Sequence, residues 1–250
     1  MNNRLWIGLL VILATACRPG AERNPFDAKT VFSKTLNAAE QAGLDDQLGQ
    51  LGVDVDQLQI LLRGFKSEER LELWVKNASD PSYQFFKAYA FCTSSGTLGP
   101  KRQEGDLQIP EGVYHIDRFN PNSSYFLSLG LNYPNSSDKI RGHATQPGSD
   151  IFIHGKCVTV GCIPITDEWI RELYFLAETA KTNGQSKIPV LLFPFEMTTN
   201  KLRKYQSLHP KHSAFWAELL PVYAYFETHQ HLPDWSVTST GAYEIRSTGG

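Results

Sequence analysis

The chain lacks an excess of charge of either sign, because 24 lysines and arginines are balanced by 26 aspartates and glutamates and the net charge is −2. A basic stripe is typical of nucleic-acid binding, and an acidic block is typical of a solvating tail. Neither is present, so we expect no nucleic-acid partner. Internal repeats and low-complexity segments are also missing. The 250 residues, 41% of them hydrophobic, favour one large domain with extensions.

A long hydrophobic run is missing near the N-terminus, where only a short one is found. Residues 5–14 follow Arg4 and are too few for a membrane span, but they have the length of the central region of a signal peptide. Leu13-Ala-Thr-Ala-Cys17 approximates a bacterial lipobox, although Ala14-Thr-Ala16 also fits an ordinary A-x-A cleavage site. We expect residues 1–16 to be a signal peptide and Cys17 to be lipidated, with simple secretion as the alternative. The predicted location is the periplasm, at the outer membrane.

Cysteine is scarce, with four residues in the chain. Lipidation of Cys17 would leave Cys92, Cys157 and Cys162, and export would place them in an oxidising compartment where disulfides persist. An odd number suits one disulfide, such as Cys92–Cys157, and one free thiol. The sequence leaves the pairing open, and three buried small hydrophobic residues are the alternative.

The hydrophobic pattern predicts a β-rich domain that follows a polar tether. Residues 17–56 carry weak helical periodicity and form the tether with a helical preface. Residues 60–65, 71–75 and 83–91 alternate as three strands of a meander joined by polar turns. Further strands are expected at residues 109–116, 125–131, 151–154 and 189–193.

Two helical regions are expected after residue 162. Thr166 can cap a supporting helix in which Ile170, Leu173, Ala177 and Ala180 share one face. Residues 197–200 then close the main domain. The C-terminal extension, residues 198–250, is expected to contain two helical pieces, at 215–220 and 223–227, and an aromatic tail at 235–245 that caps the core.

The segment of residues 151–162 combines His154 and Gly155 with Gly161 and Cys162. A thiol has an ordinary pKa of ~8.5 and becomes a nucleophile when a neighbouring imidazole takes its proton. His154 and Cys162 therefore form a candidate acyl-transfer pair. Inert burial of either residue is the alternative.

The Thr159-Val-Gly-Cys162 string resembles the Ser/Thr-x-Gly-Cys nucleophile signature of the L,D-transpeptidases, the YkuD-type family, and His154-Gly155 resembles the His-Gly that precedes it. Ser94-Ser-Gly96 and the residues 109–116 resemble that family's S-T-G and T-P-x-G-x-F/Y-x-I strand pair. The chain is most similar to the YafK-like branch of exported murein enzymes. The resemblance covers roughly residues 58–195, and we place the catalytic domain at 57–197.

This resemblance implies an α+β fold, mainly β, with a YkuD-like sandwich or curved mixed sheet and a supporting helix after the nucleophile. It implies that Cys162 attacks the bond between diaminopimelate and D-alanine in a peptidoglycan stem peptide and forms a thioester. An amine or water would then release the acyl group. His154 would be the general base and acid. No metal or cofactor is implied, and we expect a monomer.

The chemistry also suggests roles for the neighbouring residues. Gly161 lets the backbone approach closely, and the N–H groups near Gly161 and Cys162 are candidate oxyanion donors. Thr159 is expected to hydrogen-bond the imidazole or the substrate backbone. We also place Gly155 at the substrate or oxyanion site.

The sequence departs from the family pattern at three points. His154 and Cys162 are closer in sequence than in most members, Val160 stands where a second histidine is common, and Ile163-Pro164 replaces the usual polar position after the nucleophile. These departures leave two alternatives open. One is a hydrolase of the same thiol mechanism that detaches a lysine-linked protein from diaminopimelate, and the other is a non-catalytic murein-binding module.

Other polar residues have weaker claims to function. A zinc site of His154, Cys157 and Cys162 has suitable ligand types but lacks a matched second pair. His143, and Lys101 with Arg102, stand in loops where they could contact substrate. We expect these three residues to be solvated instead.

Overall fold

A computed structural model describes residues 34–246. The predicted signal peptide and the predicted lipidation site, Cys17, lie outside these residues. No helix among residues 34–246 is long and apolar enough to span a membrane. In chain order, the helices and strands are α1 (Ala38–Gln50), β1 (Leu58–Phe65), β2 (Arg70–Asn77), β3 (Gln84–Ala90), β4 (Gly112–Asn120), β5 (Ser128–Leu131), α2 (Ser136–Arg141), β6 (Phe152–His154), β7 (Ile163–Pro164), α3 (Asp167–Thr182), β8 (Ile188–Phe193), α4 (Thr199–Leu208), α5 (Ser213–His229), β9 (Trp235–Val237) and β10 (Tyr243–Ile245).

Eight strands form one mixed sheet in the order β3-β2-β1-β8-β4-β5-β6-β7. β1, β2 and β3 are consecutive antiparallel neighbours, so the predicted meander is confirmed. β8 pairs parallel with β1 and antiparallel with β4 in the middle of the sheet. The predicted α+β fold with a curved mixed sheet is confirmed.

The sheet curls until its two ends meet. Just after β3, the N–H of Cys92 donates to the carbonyl of Pro164 in β7, at 3.0 Å. A disulfide joins Cys92 to Cys157, with the Cα atoms 5.4 Å apart. The sequence left the pairing open, with Cys92–Cys157 as one possibility, and the structure has this pair bonded. The bond fixes the segment between β6 and β7.

Helices cover both faces of the sheet because its central strands are apolar on both sides. Ile60 and Leu62 of β1 point to the cluster beneath α3, while Leu61 points to the opposite cluster beneath α5. Thr166 caps α3 as predicted, since its Oγ1 accepts the N–H of Trp169 at 3.3 Å. The four residues predicted to share the inner face of this helix, Ile170, Leu173, Ala177 and Ala180, are all buried.

The prediction of two separate C-terminal helical pieces is wrong, because α5 continues through Pro221 as one helix. Proline removes one N–H donor and disfavours a helix interior. Here, burial of apolar residues on both sides of Pro221, including Leu219, Val222 and Phe226, outweighs that cost. The closing turn expected at residues 197–200 instead leads into α4, and the tail at 235–245 forms the β9–β10 hairpin.

Candidate active site

His154 is the last residue of β6 and is 2% exposed. Its Nδ1 lies 2.6 Å from the carbonyl oxygen of Gly155. A carbonyl oxygen only accepts hydrogen bonds, so Nδ1 carries the proton and Nε2 keeps a lone pair. Tyr125 covers the imidazole, with ring centroids 4.7 Å apart. Burial lowers the pKa of His154, while the Gly155 carbonyl raises it by less, and the neutral base is favoured.

Gly155 is required by close packing. A Cβ at this position would lie 2.5 Å from Oδ1 of Asp167 and 2.9 Å from the carbonyl oxygen of Tyr125. Its N–H donates to the carbonyl of Leu127 at 3.2 Å. In this structure, Gly155 therefore orients the imidazole through its carbonyl, and its N–H is engaged within the fold.

The loop from β6 to the nucleophile is anchored at its start. Lys156 has a φ of +60°, and its N–H donates to Oδ1 of Asp167 at 2.8 Å. The Lys156 ammonium donates to the carbonyl of Ser124 at 2.7 Å. The next residue, Cys157, forms the disulfide with Cys92. These contacts allow a short loop to hold a fixed path towards Cys162.

The turn that presents Cys162 depends on Gly161. This glycine has a φ of +88°, and a Cβ there would lie 3.0 Å from the carbonyl oxygen of Gln108. The close approach seen here is to the backbone of Gln108, and the role of Gly161 towards a substrate stays a prediction. The Gly161 N–H donates to Oγ of Ser95 at 2.8 Å, and that hydroxyl donates to the carbonyl of Leu107 at 2.9 Å.

Thr159 closes the same turn from the other side. Its Oγ1 accepts the N–H of Cys162 at 2.9 Å and donates to the carbonyl of Cys162 at 2.8 Å. The hydroxyl is therefore bound to the backbone of the nucleophile, and the expected contact with the imidazole is absent from the described residues. The oxyanion role of the Gly161 and Cys162 N–H groups stays a prediction, and it requires the hydroxyls of Ser95 and Thr159 to release them.

Cys162 is a free, half-buried thiol. Its Sγ accepts the N–H of Phe152 at 3.4 Å and donates to the carbonyl of Asp150 at 3.5 Å. Burial raises the pKa of Cys162, the Phe152 N–H lowers it, the Asp150 charge raises it, and Lys101 lowers it. The net direction is upward, so the resting thiol is protonated.

Cys162 and His154 line one cavity of about 360 Å³. No hydrogen bond joins Sγ to the imidazole among the described residues. The cavity has an apolar rim, because Val158 and Val160 are 55% and 69% exposed. Its complete lining is Tyr125, Asp150, Phe152, His154, Val158, Thr159, Val160 and Cys162. The two catalytic candidates therefore border the same open cavity.

The sequence did not reveal the roles of Tyr125, Asp150 and Ser95. Ser95 stood within the Ser94-Ser-Gly96 motif, which was the one available signal. Tyr125 and Asp150 lie in irregular segments beside β5 and β6, and only the sheet register brings them to the cavity. Loop residues of this kind carry no periodicity that predicts their contacts.

Lys101 and Arg102 both form ion pairs. The expectation that they are solvated is wrong for Lys101, which is buried, whereas the Arg102 side chain is 27% exposed. Lys101 is 4% exposed, and its ammonium lies 2.7 Å from Oδ1 of Asp106. Arg102 pairs with Asp138 at 3.2 Å. His143 is exposed as predicted, and it lies outside the lining of the catalytic cavity.

The zinc alternative is contradicted by the disulfide, because the Cys157 sulfur is bonded to Cys92 and is not a thiolate ligand. No cluster of three or more histidine, cysteine or acidic side chains within residues 34–246 has the arrangement of a metal site.

Two comparisons place this fold and site in a known family. The profile of the family described as "YkuD: L,D-transpeptidase catalytic domain" matches residues 64–191. The chain is 34% identical over 188 residues to "Putative L,D-transpeptidase YafK" of Escherichia coli, in both strain K12 and O157:H7, and the match covers 74% of this chain and 73% of that protein. The chain therefore belongs to the YkuD family of L,D-transpeptidase catalytic domains. The predicted family and general function are confirmed.

Solved structures show more distant similarity. The helical cell shape determining protein Pgp2 of Campylobacter jejuni, in its K307A mutant, aligns with a TM-score of 0.44 and 20% identity, over 73% of this chain and 62% of that chain. Bd1075 of Bdellovibrio bacteriovorus aligns with a TM-score of 0.40 and 20% identity, over 72% of this chain and 64% of that chain. In these two structures, the match covers less than two thirds of the other chain.

Proposed function

We propose that this protein is an exported cysteine L,D-transpeptidase that cleaves the diaminopimelate–D-alanine bond of peptidoglycan stem peptides through a Cys162 thioester. The observation that carries the proposal is the arrangement of the cavity. It contains an accessible thiol and a buried imidazole whose Nδ1 is bound to Gly155, which leaves Nε2 as a base.

The first half-reaction transfers the acyl group to sulfur. The Cys162 side chain rotates away from the Asp150 carbonyl, and its proton passes to Nε2 of His154. Sγ attacks the carbonyl carbon on the L-centre of diaminopimelate. The tetrahedral intermediate then expels the D-alanine amine, which takes the proton back from the imidazolium. The products are a thioester on Cys162, free D-alanine and neutral His154.

The resting pair is neutral thiol and neutral imidazole, because burial raises the pKa of Cys162 and lowers that of His154. A preformed thiolate–imidazolium pair is disfavoured in this environment. The base is ready at neutral pH, and proton transfer accompanies the attack on the substrate. The unreacted enzyme is thereby protected from non-specific thiol chemistry.

The second half-reaction regenerates the thiol. An incoming amine or water loses its proton to Nε2 of His154 and attacks the thioester carbonyl, and Sγ leaves with that proton. A diaminopimelate amine gives a crosslink, a lysine amine attaches a protein, and water gives hydrolysis. Val158 and Val160 of the cavity lining carry no group that could accept a proton, so we assign His154 as the base for each of these acceptors.

The proposed chain organisation follows the same role. Residues 1–16 direct export, Cys17 carries a lipid that holds the protein at the periplasmic side of the outer membrane, and residues 17–56 tether the catalytic domain, residues 57–197. Residues 198–250 form the C-terminal extension. Labelling with a radioactive fatty acid tests the anchor, because label should enter the wild type and be absent from Cys17→Ser.

Incubation with purified peptidoglycan sacculi tests the reaction. Mass spectrometry of the released muropeptides should show loss of terminal D-alanine, with crosslinked, protein-bound or hydrolysed products that identify the acceptor. Cys162→Ala should give none of them, and His143→Gln, on an exposed loop, should match the wild type. Unchanged sacculi with the wild type would favour the murein-binding module.

A further inference from the structure

Arg118 lies on β4, and β5 and β6 separate it from β7, which begins directly after Cys162. Its side chain crosses β5 to reach the residues that contact the sulfur. The register pairs Arg118 with Gly130, and Gly130 with Phe152 of β6. A Cβ on Gly130 would lie 2.8 Å from Nε of Arg118 and 3.0 Å from the ring of Phe152. Glycine at position 130 therefore opens the path that the arginine follows.

The guanidinium of Arg118 contacts two residues that also contact the sulfur. Its NH1 lies 2.7 Å from Oδ1 of Asp150, and its Cζ lies 4.9 Å from the ring centroid of Phe152. Its NH2 donates to the carbonyl of Leu131 at 3.1 Å. Asp150 and Phe152 are the residues whose backbone carbonyl and N–H lie within 3.5 Å of Sγ in Cys162.

Asp150 has a backbone conformation that other contacts must stabilise. Its φ is +55°, a strained conformation that non-glycine residues adopt rarely. The ion pair with Arg118 holds its side chain, and its carbonyl is thereby aimed at the Cys162 thiol.

We propose that Arg118 is a positioning residue for the nucleophile, which fixes Asp150 and Phe152 and through their backbone groups sets the orientation and reactivity of the Cys162 thiol. This inference rests on the proposed function only in taking Cys162 as the nucleophile. Arg118 is absent from the cavity lining and touches neither Sγ nor the imidazole.

Arg118 also has an electrostatic effect. Burial is the main cause that raises the pKa of Cys162, the Asp150 carboxylate raises it further, and Lys101 lowers it. His154, whose neutral form is favoured, lines the same cavity. Arg118 compensates the Asp150 charge at 2.7 Å, and its Nε also pairs with Asp117 of its own strand at 3.0 Å. Loss of the arginine would leave that charge unopposed and make ionisation of the thiol harder.

The test measures the pH dependence of Cys162 alkylation by iodoacetamide, read on the peptide that carries Cys162. Arg118→Gln should raise the alkylation midpoint by about half a pH unit, which is roughly three-fold less thiolate at neutral pH, and 1 M salt should shrink the shift because the pair is partly exposed. Asp150→Asn should lower the midpoint. The double variant Arg118→Gln/Asp150→Asn should return it close to that of the wild type.

A second measurement separates charge from position. Arg118→Lys keeps the charge but loses the planar fork that reaches Asp150 and Leu131 together. Its midpoint should stay near that of the wild type, while acylation of Cys162 by a carbapenem slows several-fold. The matched control is Arg141→Gln, which removes an arginine that likewise pairs with a carboxylate, Glu218, and stacks over an aromatic ring.

Two results would overturn the inference. One is an Arg118→Gln protein that is folded by thermal melting and keeps both the midpoint and the acylation rate of the wild type. The other is an upward shift that persists undiminished in the double variant. If the wild type is not acylated at all, the proposed function fails by itself, and the alkylation measurements still decide the role of Arg118.

Discussion

The carbonyl oxygen of Gly155 lies 2.6 Å from Nδ1 of His154, so each residue of the His-Gly pair has a distinct task. The glycine fits under Asp167 where a larger residue would clash, and its carbonyl selects the tautomer of the histidine. The histidine then presents Nε2 to the cavity that contains Cys162. The geometry of the base is thus determined by its neighbour in the sequence.

Replacement of the base should abolish acyl transfer with little loss of fold. We expect His154→Gln to slow acylation of Cys162 by roughly 10²–10⁴-fold, the usual contribution of a positioned general base. Intact-mass kinetics with a carbapenem measure this rate. His143→Gln is the matched control, because His143 lies on an exposed loop. Equal rates in the two variants would remove His154 from the mechanism.

Addition of one methyl group at Gly155 should disrupt both packing and activity. Gly155→Ala places a Cβ 2.5 Å from Oδ1 of Asp167, and overpacking of this kind costs about 1–3 kcal/mol. Urea unfolding should show that loss. The control, Gly43→Ala, lies inside α1 with no atom within 4 Å of the new Cβ, and it should be neutral or stabilising. A Gly155→Ala protein as stable as the wild type would contradict the packing.

Removal of the disulfide should loosen the loop that leads to the nucleophile. Cys92 and Cys157 are 65 positions apart, and a crosslink across a loop of this length contributes ~4 kcal/mol in the chain-entropy treatment. We expect Cys92→Ser/Cys157→Ser to lower the free energy of unfolding by up to ~4 kcal/mol. We also expect it to slow acylation of Cys162. Urea denaturation checks the first effect. Full stability in the double variant would show that the crosslink constrains little.

The contribution of Asp138 to the stability of the protein should fall as pH rises from about 4 to 6. Burial raises the pKa of Asp138 to about 6, although Tyr114 and Arg102 favour its charged form. The folded state then holds a proton that the unfolded state has already released, so ionisation on raising the pH costs up to ~3 kcal/mol. Asp138→Asn should flatten the slope of unfolding free energy against pH in this range. Identical slopes for the two proteins would contradict the shifted pKa.

The sequence predicted those parts of the fold that depend on local signals. The β1–β3 meander follows from alternation, and α3 follows from the Thr166 cap and a 3.6-residue apolar period. The continuity of α5 through Pro221 was missed, because burial of its aromatic and apolar side chains overrides a local helix breaker.

The two reactive residues of the candidate site could be predicted from the sequence. The residues that hold them in place could not. His154 and Cys162 stand in one short motif, whereas Ser95 contacts Gly161 across 66 positions. The Asp150 carbonyl and the Phe152 N–H reach the sulfur only through the arrangement of β6 beside the nucleophile turn. Contacts of this kind depend on strand order, which periodicity does not specify.

The role of Cys162 as nucleophile is tested most directly by intact-mass measurement of the protein after exposure to a carbapenem, a class of compound that acylates this family. We expect one covalent adduct on the wild type, located on the peptide that carries Cys162, and no adduct on Cys162→Ala. An adduct that persists in Cys162→Ala, or a wild-type protein that stays unmodified while the fold is intact, would contradict the assignment of Cys162 as the nucleophile.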